Sequence, residues 1–355
     1  MKRLLLSFAA VVSAALLAEL LYRWLGPEPY ARPVIRDSNG TVVDLGDIIG
    51  FFRAPDSNED PVDAPANGIK PGFRGWLCYD RPALDYFDAE GCVEVRINRF
   101  GFRDEEFELE PEPDELRMLA IGDSFTFGQG VRAEDTWPEL LEERLAEVHD
   151  GPVQVMNAGF TGGGSWPQEY RPWVEEHALA FGPEVVVYGM CLNDIDRRVP
   201  MLAWVKVWDD PNTWGDPWLG GKSAILNRIQ HARQERRFIE NRPRDLTAII
   251  RTDPGPWEAN QEALRGIAAF LEANGVRFVI AVFPMLSLLG DGYPYRGLHE
   301  AVASFCTEEE IEHLDLYDRF HGLDDRELWI HPMDQHPNPV AQRIFAEGIF
   351  ERLGR

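Results

Sequence analysis

Lysine is nearly missing from this 355-residue chain: only Lys2, Lys70, Lys206 and Lys222 occur, so arginine carries nearly all the positive charge. Sixty acidic residues face 35 basic ones, for a formal net charge of −25. Such a chain offers no electrostatic footprint for nucleic acid and is repelled by an anionic surface, so its partners are neutral or cationic. Cysteine is also scarce. Cys78, Cys92, Cys191 and Cys306 show no Cys-x-x-Cys spacing, which removes zinc and thioredoxin-like chemistry. Cys78 and Cys92 flank a polar, turn-rich segment and could close a loop by a disulfide in an oxidising compartment. Cys191 sits in an apolar run and reads as a small buried hydrophobe.

A long apolar run occurs at the start of the chain. Met1-Lys2-Arg3 precedes LLLSFAAVVSAALLAELLYRWLG, interrupted by Glu19. A basic start and an apolar stretch of about 20 residues fit a signal peptide or a membrane anchor over residues 1–26. Without a clear small-x-small cleavage site, and with Tyr22 and Trp24 suited to an interfacial belt, the uncleaved anchor is the favoured expectation. It would place the body outside the cytoplasm, membrane-anchored or otherwise secreted or periplasmic.

Residues 27–115 are rich in Pro, Gly and Asp, with short apolar runs. Val93, Val95 and Ile97 alternate with polar residues, the period of a half-buried strand. This part reads as a small β-rich leader ending in an acidic linker, Glu105 to Glu115. From Leu116 onward strand and helix patterns alternate. The strands are Leu116–Ile121, Val153–Asn157, Val185–Met190, Val276–Phe283 and His313–Leu316. The helices are Trp137–Val148, Pro167–Leu179, Trp257–Asn274 and Pro339–Leu353. This alternation predicts an α/β fold with a parallel sheet covered by helices on both faces. Residues 197–256 break the pattern with Trp204, Trp208, Trp214 and Trp218, and are too long for an ordinary connection. They are either a structural insertion or a lid over a site.

Four polar pieces fall at element ends: Gly122-Asp123-Ser124, Asn157 to Ser165 (NAGFTGGGS), Gly189 to Asp194 (GMCLND) and Asp334-Gln335-His336. In a doubly wound sheet the C-terminal strand ends share one edge, so these pieces can converge. Together they allow acyl transfer. Ser124 is a weak nucleophile until a base takes its proton. His336 titrates in the right range to be that base, and Asp334 can orient its ring. The Ser124 amide, a glycine amide of the second piece and the Asn193 side chain can receive an oxyanion. Read singly, each piece is an ordinary turn or helix cap.

GDSFTFGQG, NAGFTGGGS, GMCLND and DQHPN, in that order, resemble the four blocks of the SGNH (GDSL-type) hydrolase family, from about Leu116 to the C-terminus. The resemblance implies a three-layer αβα, flavodoxin-like domain over 116–355, with a Trp-rich insertion at about 197–256. It implies a serine esterase acting on an acetyl or short acyl ester of a small molecule, glycan or lipid. Ser124, His336 and Asp334 would be catalytic, and Ser124, Gly162 and Asn193 would form the oxyanion hole, with no metal or organic cofactor. The usual family spacing is Asp-x-x-His. Here Met333 holds that place and Asp334 lies two residues before the histidine, as in branches that modify polysaccharides. His331 is the second-choice base. An O-acyltransferase acting on a cell-envelope sugar or lipid, or a non-catalytic envelope-binding protein of the same fold, are the alternatives.

Overall fold

Runs of valine, isoleucine and small residues between the amphipathic segments become one parallel sheet. A computed structural model describes residues 2–25, 33–43, 49–50, 68–82, 84–160, 166–196, 198–199, 223, 225, 246–332 and 334–354. The chain divides into two units: Met1–Ala31 with Leu202–Pro243, and Arg32–Met201 with Arg244–Arg355.

In the first unit, α1 (Lys2–Leu25) takes up the apolar run. Glu19 and Arg23 pair at 2.8 Å in its last turns, and Glu19 also accepts from the Ser223 hydroxyl and the Ile225 amide. The expectation of a membrane-spanning anchor is not supported: among the described residues no helix is long and apolar enough to cross a membrane. The four tryptophans of the insertion, and the reading of that segment as a lid, lie outside the described residues.

The second unit opens with small antiparallel sheets. In chain order the strands are β1 (Val34–Asp37), β2 (Val42–Val43), β3 (Ile49–Gly50), β4 (Gly68–Ile69), β5 (Arg74–Cys78) and β6 (Cys92–Arg96). Four form a sheet ordered β2-β1-β5-β6, and β3 pairs with β4. Val93, Val95 and Ile97 point into its core and Glu94 and Arg96 outward, as their alternation requires. That core is continuous with Phe127, Val131 and Ile330 further along the chain. Cys78 and Cys92, cross-strand partners, form a disulfide. Closing a loop of this size restrains the unfolded chain by roughly 3 kcal/mol.

The main sheet is formed by β7 (Leu116–Gly122), β8 (Val153–Gly159), β9 (Val185–Cys191), β10 (Arg277–Phe283) and β11 (Glu312–Asp315). All pairs are parallel and the order is β8-β7-β9-β10-β11. Counted along the domain this is 2-1-3-4-5, the flavodoxin-like order, whose direction reverses between β7 and β9. The helices are α2 (Ser124–Phe127), α3 (Trp137–Ala146), α4 (Pro167–His177), α5 (Ala248–Thr252), α6 (Gly255–Ala273), α7 (Arg296–Glu308), α8 (Tyr317–Phe320) and α9 (Pro339–Leu353). Phe283 stacks on Phe345 of α9 and meets Trp137 of α3 edge-on, while Tyr188 meets Tyr170 of α4. In the β9–β10 register Phe283 lies opposite Cys191, three residues from Tyr188. An odd offset means opposite faces, so helices cover both sides.

Three carboxyls, Asp104 buried and Glu139 and Glu142 half-buried, lie near the contact of leader and sheet. Asp104 accepts from the Asn157 amide (3.0 Å) and hydrogen-bonds the Glu139 carboxyl of α3. Glu142 accepts from the Val155 amide (2.6 Å) and the Gln154 side chain (3.2 Å). Burial pushes Asp104 up to about 7, Glu139 to about 9 and Glu142 to about 7.

Candidate active site

Three glycines put Ser124 where it is. Gly122 at the end of β7 pairs in register with Gly159 of β8 and Gly189 of β9, giving a row of bare backbone across three strands. The short helix α2 lies directly on that row. A Cβ at Gly122 would meet Thr126 Oγ1 at 2.2 Å, one at Gly189 the same atom at 2.4 Å, and one at Gly159 the Phe127 amide nitrogen at 2.2 Å. Asp123 caps the helix by accepting from the Phe125 amide at 2.9 Å. One turn later Gly128 adopts a left-handed conformation, φ 76°, and the amides of Gly128 and Gln129 return to the Ser124 carbonyl.

The carbonyls past this turn are held from the leader. The buried guanidinium of Arg103 donates to the carbonyls of Phe127 (2.8 Å), Gly128 and Val131, and lies over the Phe127 ring. Burial pulls its pKa down to about 10, against the attraction of Tyr86, Glu134 and Glu139, so it is still charged at neutral pH.

The fourth piece arrives on a hairpin. β12 (Trp329–His331) pairs antiparallel with β13 (Asp334–Pro337), and Asn338 then caps α9 by accepting from the amides of Val340 and Ala341. Asp334 and His336 are two apart on a strand, so they share a face. His336 Nε2 lies 2.8 Å from Ser124 Oγ, at the switch point of the sheet. Its Nδ1 hydrogen-bonds Asp334 Oδ1, and its backbone amide donates to the same oxygen at 3.1 Å. The other carboxylate oxygen accepts from the Tyr79 hydroxyl at 2.6 Å and the Gln129 side chain at 3.4 Å.

These partners decide the charges. Burial alone would raise the Asp334 pKa, but His336 and the donated hydrogen bonds hold it well below the usual carboxylate range. Burial alone would lower the His336 pKa, yet the Asp334 carboxylate keeps it above 6.5.

On the other flank, Asn193 follows β9 and its side chain hydrogen-bonds Asp123. Burial raises Asp123 to about 6. Asp194 points inward, accepting from the Tyr188 hydroxyl (2.9 Å) and the Cys191 amide (3.1 Å), a structural cap. His331, the second-choice base, is not brought to the serine; its Nε2 donates to the Asp80 carbonyl at 2.9 Å and burial lowers its pKa. Gly162 lies outside the described residues. Tyr79, Arg103 and Gln129 escaped the sequence reading. Gln129 stands inside the GDSFTFGQG block, but nothing local marks Tyr79 or Arg103. Among the described residues no group of His, Cys, Asp and Glu side chains is placed to hold a metal ion.

Residues 120–344 match the family model described as GDSL-like Lipase/Acylhydrolase. The chain belongs to that family. It is a hydrolase acting on ester bonds. Similar solved structures include a putative lipolytic G-D-S-L protein from Desulfitobacterium hafniense DCB-2, with 17% identity, TM-score 0.41, and coverage of 67% of this chain and 99% of that one. The esterase EstA from a Pseudoalteromonas species shows 14% identity and TM-score 0.41, covering 67% and 96%. An acetylxylan esterase from Geobacillus stearothermophilus shows 14% identity and TM-score 0.41, covering 68% and 94%. No curated protein matches the chain. Within the family pattern, the serine, asparagine and histidine blocks of this GDSL-type hydrolase fall on the ends of β7, β9 and β13.

Proposed function

We propose that this hydrolase cleaves acetyl or short acyl esters through Ser124, His336 and Asp334. The observation that carries the reading is the continuous chain Ser124 Oγ, His336 Nε2, His336 Nδ1 and Asp334 Oδ1. Ser124 Oγ attacks the ester carbonyl carbon as His336 Nε2 takes its proton. The carbonyl oxygen becomes an oxyanion, received by the Ser124 amide, the Gly162 amide and the Asn193 side chain. An Asn amide has two N–H groups. Asp123 takes one and thereby orients the other. The imidazolium then protonates the leaving alcohol, leaving an acyl-serine. Water, deprotonated by the same nitrogen, attacks the acyl carbon and releases the acid. Asp334 stays ionised throughout and stabilises the imidazolium.

The two-residue Asp-x-His spacing, shared with polysaccharide-modifying branches, favours a small acyl group on a sugar as the physiological ester. The domain comprises 116–355, with 27–115 as its leader. The Cys78–Cys92 disulfide supports a working life in an oxidising compartment outside the cytoplasm.

The test is turnover of p-nitrophenyl esters of graded length and of acetylated polysaccharides, with and without a sugar acceptor, by the wild type and by Ser124→Ala. Loss of roughly 10⁴-fold or more in kcat on Ser124→Ala is expected. Wild-type turnover by that variant defeats the serine mechanism. Preferential delivery of the acyl group to the sugar would reassign the enzyme as a transferase.

A further inference from the structure

We infer that Tyr79, just past β5 in the leader, is a positioning residue that fixes the rotation of the Asp334 carboxylate, with Gln129 as the second and weaker donor. The inference rests on the triad proposed above.

A carboxylate on one strand face with its histidine two residues on has a particular problem. Asp334 Oδ1 must serve both the backbone amide and the ring Nδ1 of His336. Nothing in the Asp-x-His segment itself engages Oδ2. Rotation about the side-chain bond would swap the oxygens or turn both away from the ring. Two donors engage Oδ2: the Tyr79 hydroxyl at 2.6 Å and Gln129 Nε2 at 3.4 Å. The first has the length of a charge-assisted O–H···O bond and the second is long, so Tyr79 sets the rotation.

Tyr79 is itself held by several independent contacts. Its amide donates to the Gly91 carbonyl at 2.9 Å. Its ring meets Phe87 edge-on at 5.5 Å and lies against His331 at 5.4 Å. The residue before it, Cys78, is tied to Cys92. Both Tyr79 and Asp334 are buried, so water does not replace the phenol at no cost. Burial and the adjacent carboxylate push the phenol's pKa well above 10, which keeps it a donor across the working range. The leader thus reaches the catalytic hydrogen-bond chain at its far end, one bond beyond the acid.

Tyr79→Phe removes the hydroxyl and keeps the ring. Loss of a hydrogen bond to a charged group predicts a fall in kcat of about 10- to 100-fold. KM should stay within about twofold, since the phenol touches no substrate. The acid limb of kcat/KM should move to higher pH, because a carboxylate with one donor fewer holds the imidazolium proton more strongly. In an Asp334→Ala background the same substitution should change kcat by less than about twofold, because its target is gone. Gln129→Leu, which leaves the leader intact, runs the same cycle independently of how Tyr79→Phe folds, with a smaller loss that also vanishes beside Asp334→Ala.

Wild-type kcat and an unmoved acid limb in Tyr79→Phe, alongside inactive Ser124→Ala and Asp334→Asn, overturn the positioning role and leave the triad standing. An equal loss in the Asp334→Ala background, for both Tyr79→Phe and Gln129→Leu, overturns it as well. Full activity in Asp334→Asn brings down the triad and the positioning role together.

Discussion

Two sets of carboxyls in this protein, wholly or partly withdrawn from water, go opposite ways. Asp334 accepts from four donors, one of them the imidazole, and is held ionised far into the acid range. Asp104 and Glu139 hydrogen-bond each other, Asp104 accepting in addition from the Asn157 amide, and both are pushed up, Glu139 to about 9. Burial penalises charge in all of them; the number and charge of the donors decide the outcome. The acid of the proposed triad thus sits in a built shell, whereas Asp104 and Glu139 hydrogen-bond each other and share a proton. Opposite linkage signs follow. The lowered pKa of Asp334 contributes stability above its unfolded value, lost as pH falls through the folded one. The raised pKa of Glu139 contributes stability below its unfolded value, lost as pH rises toward about 9.

The contrast can be broken most severely at Asp334. Asp334→Asn keeps the shape but leaves His336 with the wrong tautomer, and kcat should fall by roughly up to 10⁴-fold. A change of under about threefold, by steady-state kinetics, would show that the ring needs no acid. The next effect is on pH dependence. His336 must be neutral to take the serine proton, so kcat/KM should fall as pH drops through a value above 6.5. A wild-type limb at or below that value would mean that burial outweighs Asp334. The smallest effect lies at the other set. Glu139→Gln mimics the protonated form, so it should raise Tm at pH 8 by about 3 °C and change it little near pH 4.5. Activity at the optimum should stay near wild type. A Tm gain of equal size at both pH values would remove the proton-sharing account.

Legibility followed locality. Ser124, Asp334 and His336 lie in short segments whose chemistry is spelled out within a few residues, and β9 and β10 are dense enough in Val, Ile and Phe to be seen individually, whereas β11, EHLD, carries little signal of its own. The row of Gly122, Gly159 and Gly189 was not visible as a row, because register is a property of pairing and not of any one strand. Helix α7 was missed although Leu298, Val302, Phe305 and Cys306 mark its buried face at i, i+4, i+7 and i+8. The β12–β13 hairpin leaves no strand pattern in the sequence, because its strands are only three and four residues long. Tyr79 was illegible because its partner lies 255 residues away and a lone tyrosine beside a cysteine has no motif. For the N-terminal run, hydropathy matches a span, while among the described residues no helix is long and apolar enough to cross a membrane.

The 255 residues between Tyr79 and Asp334 also have a consequence in time. At about 5–20 residues per second, a ribosome needs roughly 10–50 s to travel from one to the other. Once Ser124 has been made, and for the rest of that interval, the nascent chain carries the proposed nucleophile with neither His336 nor Asp334. On the proposed mechanism the enzyme is therefore silent until β13 is made, and clipping ahead of β13 would switch it off while sparing all five strands of the parallel sheet.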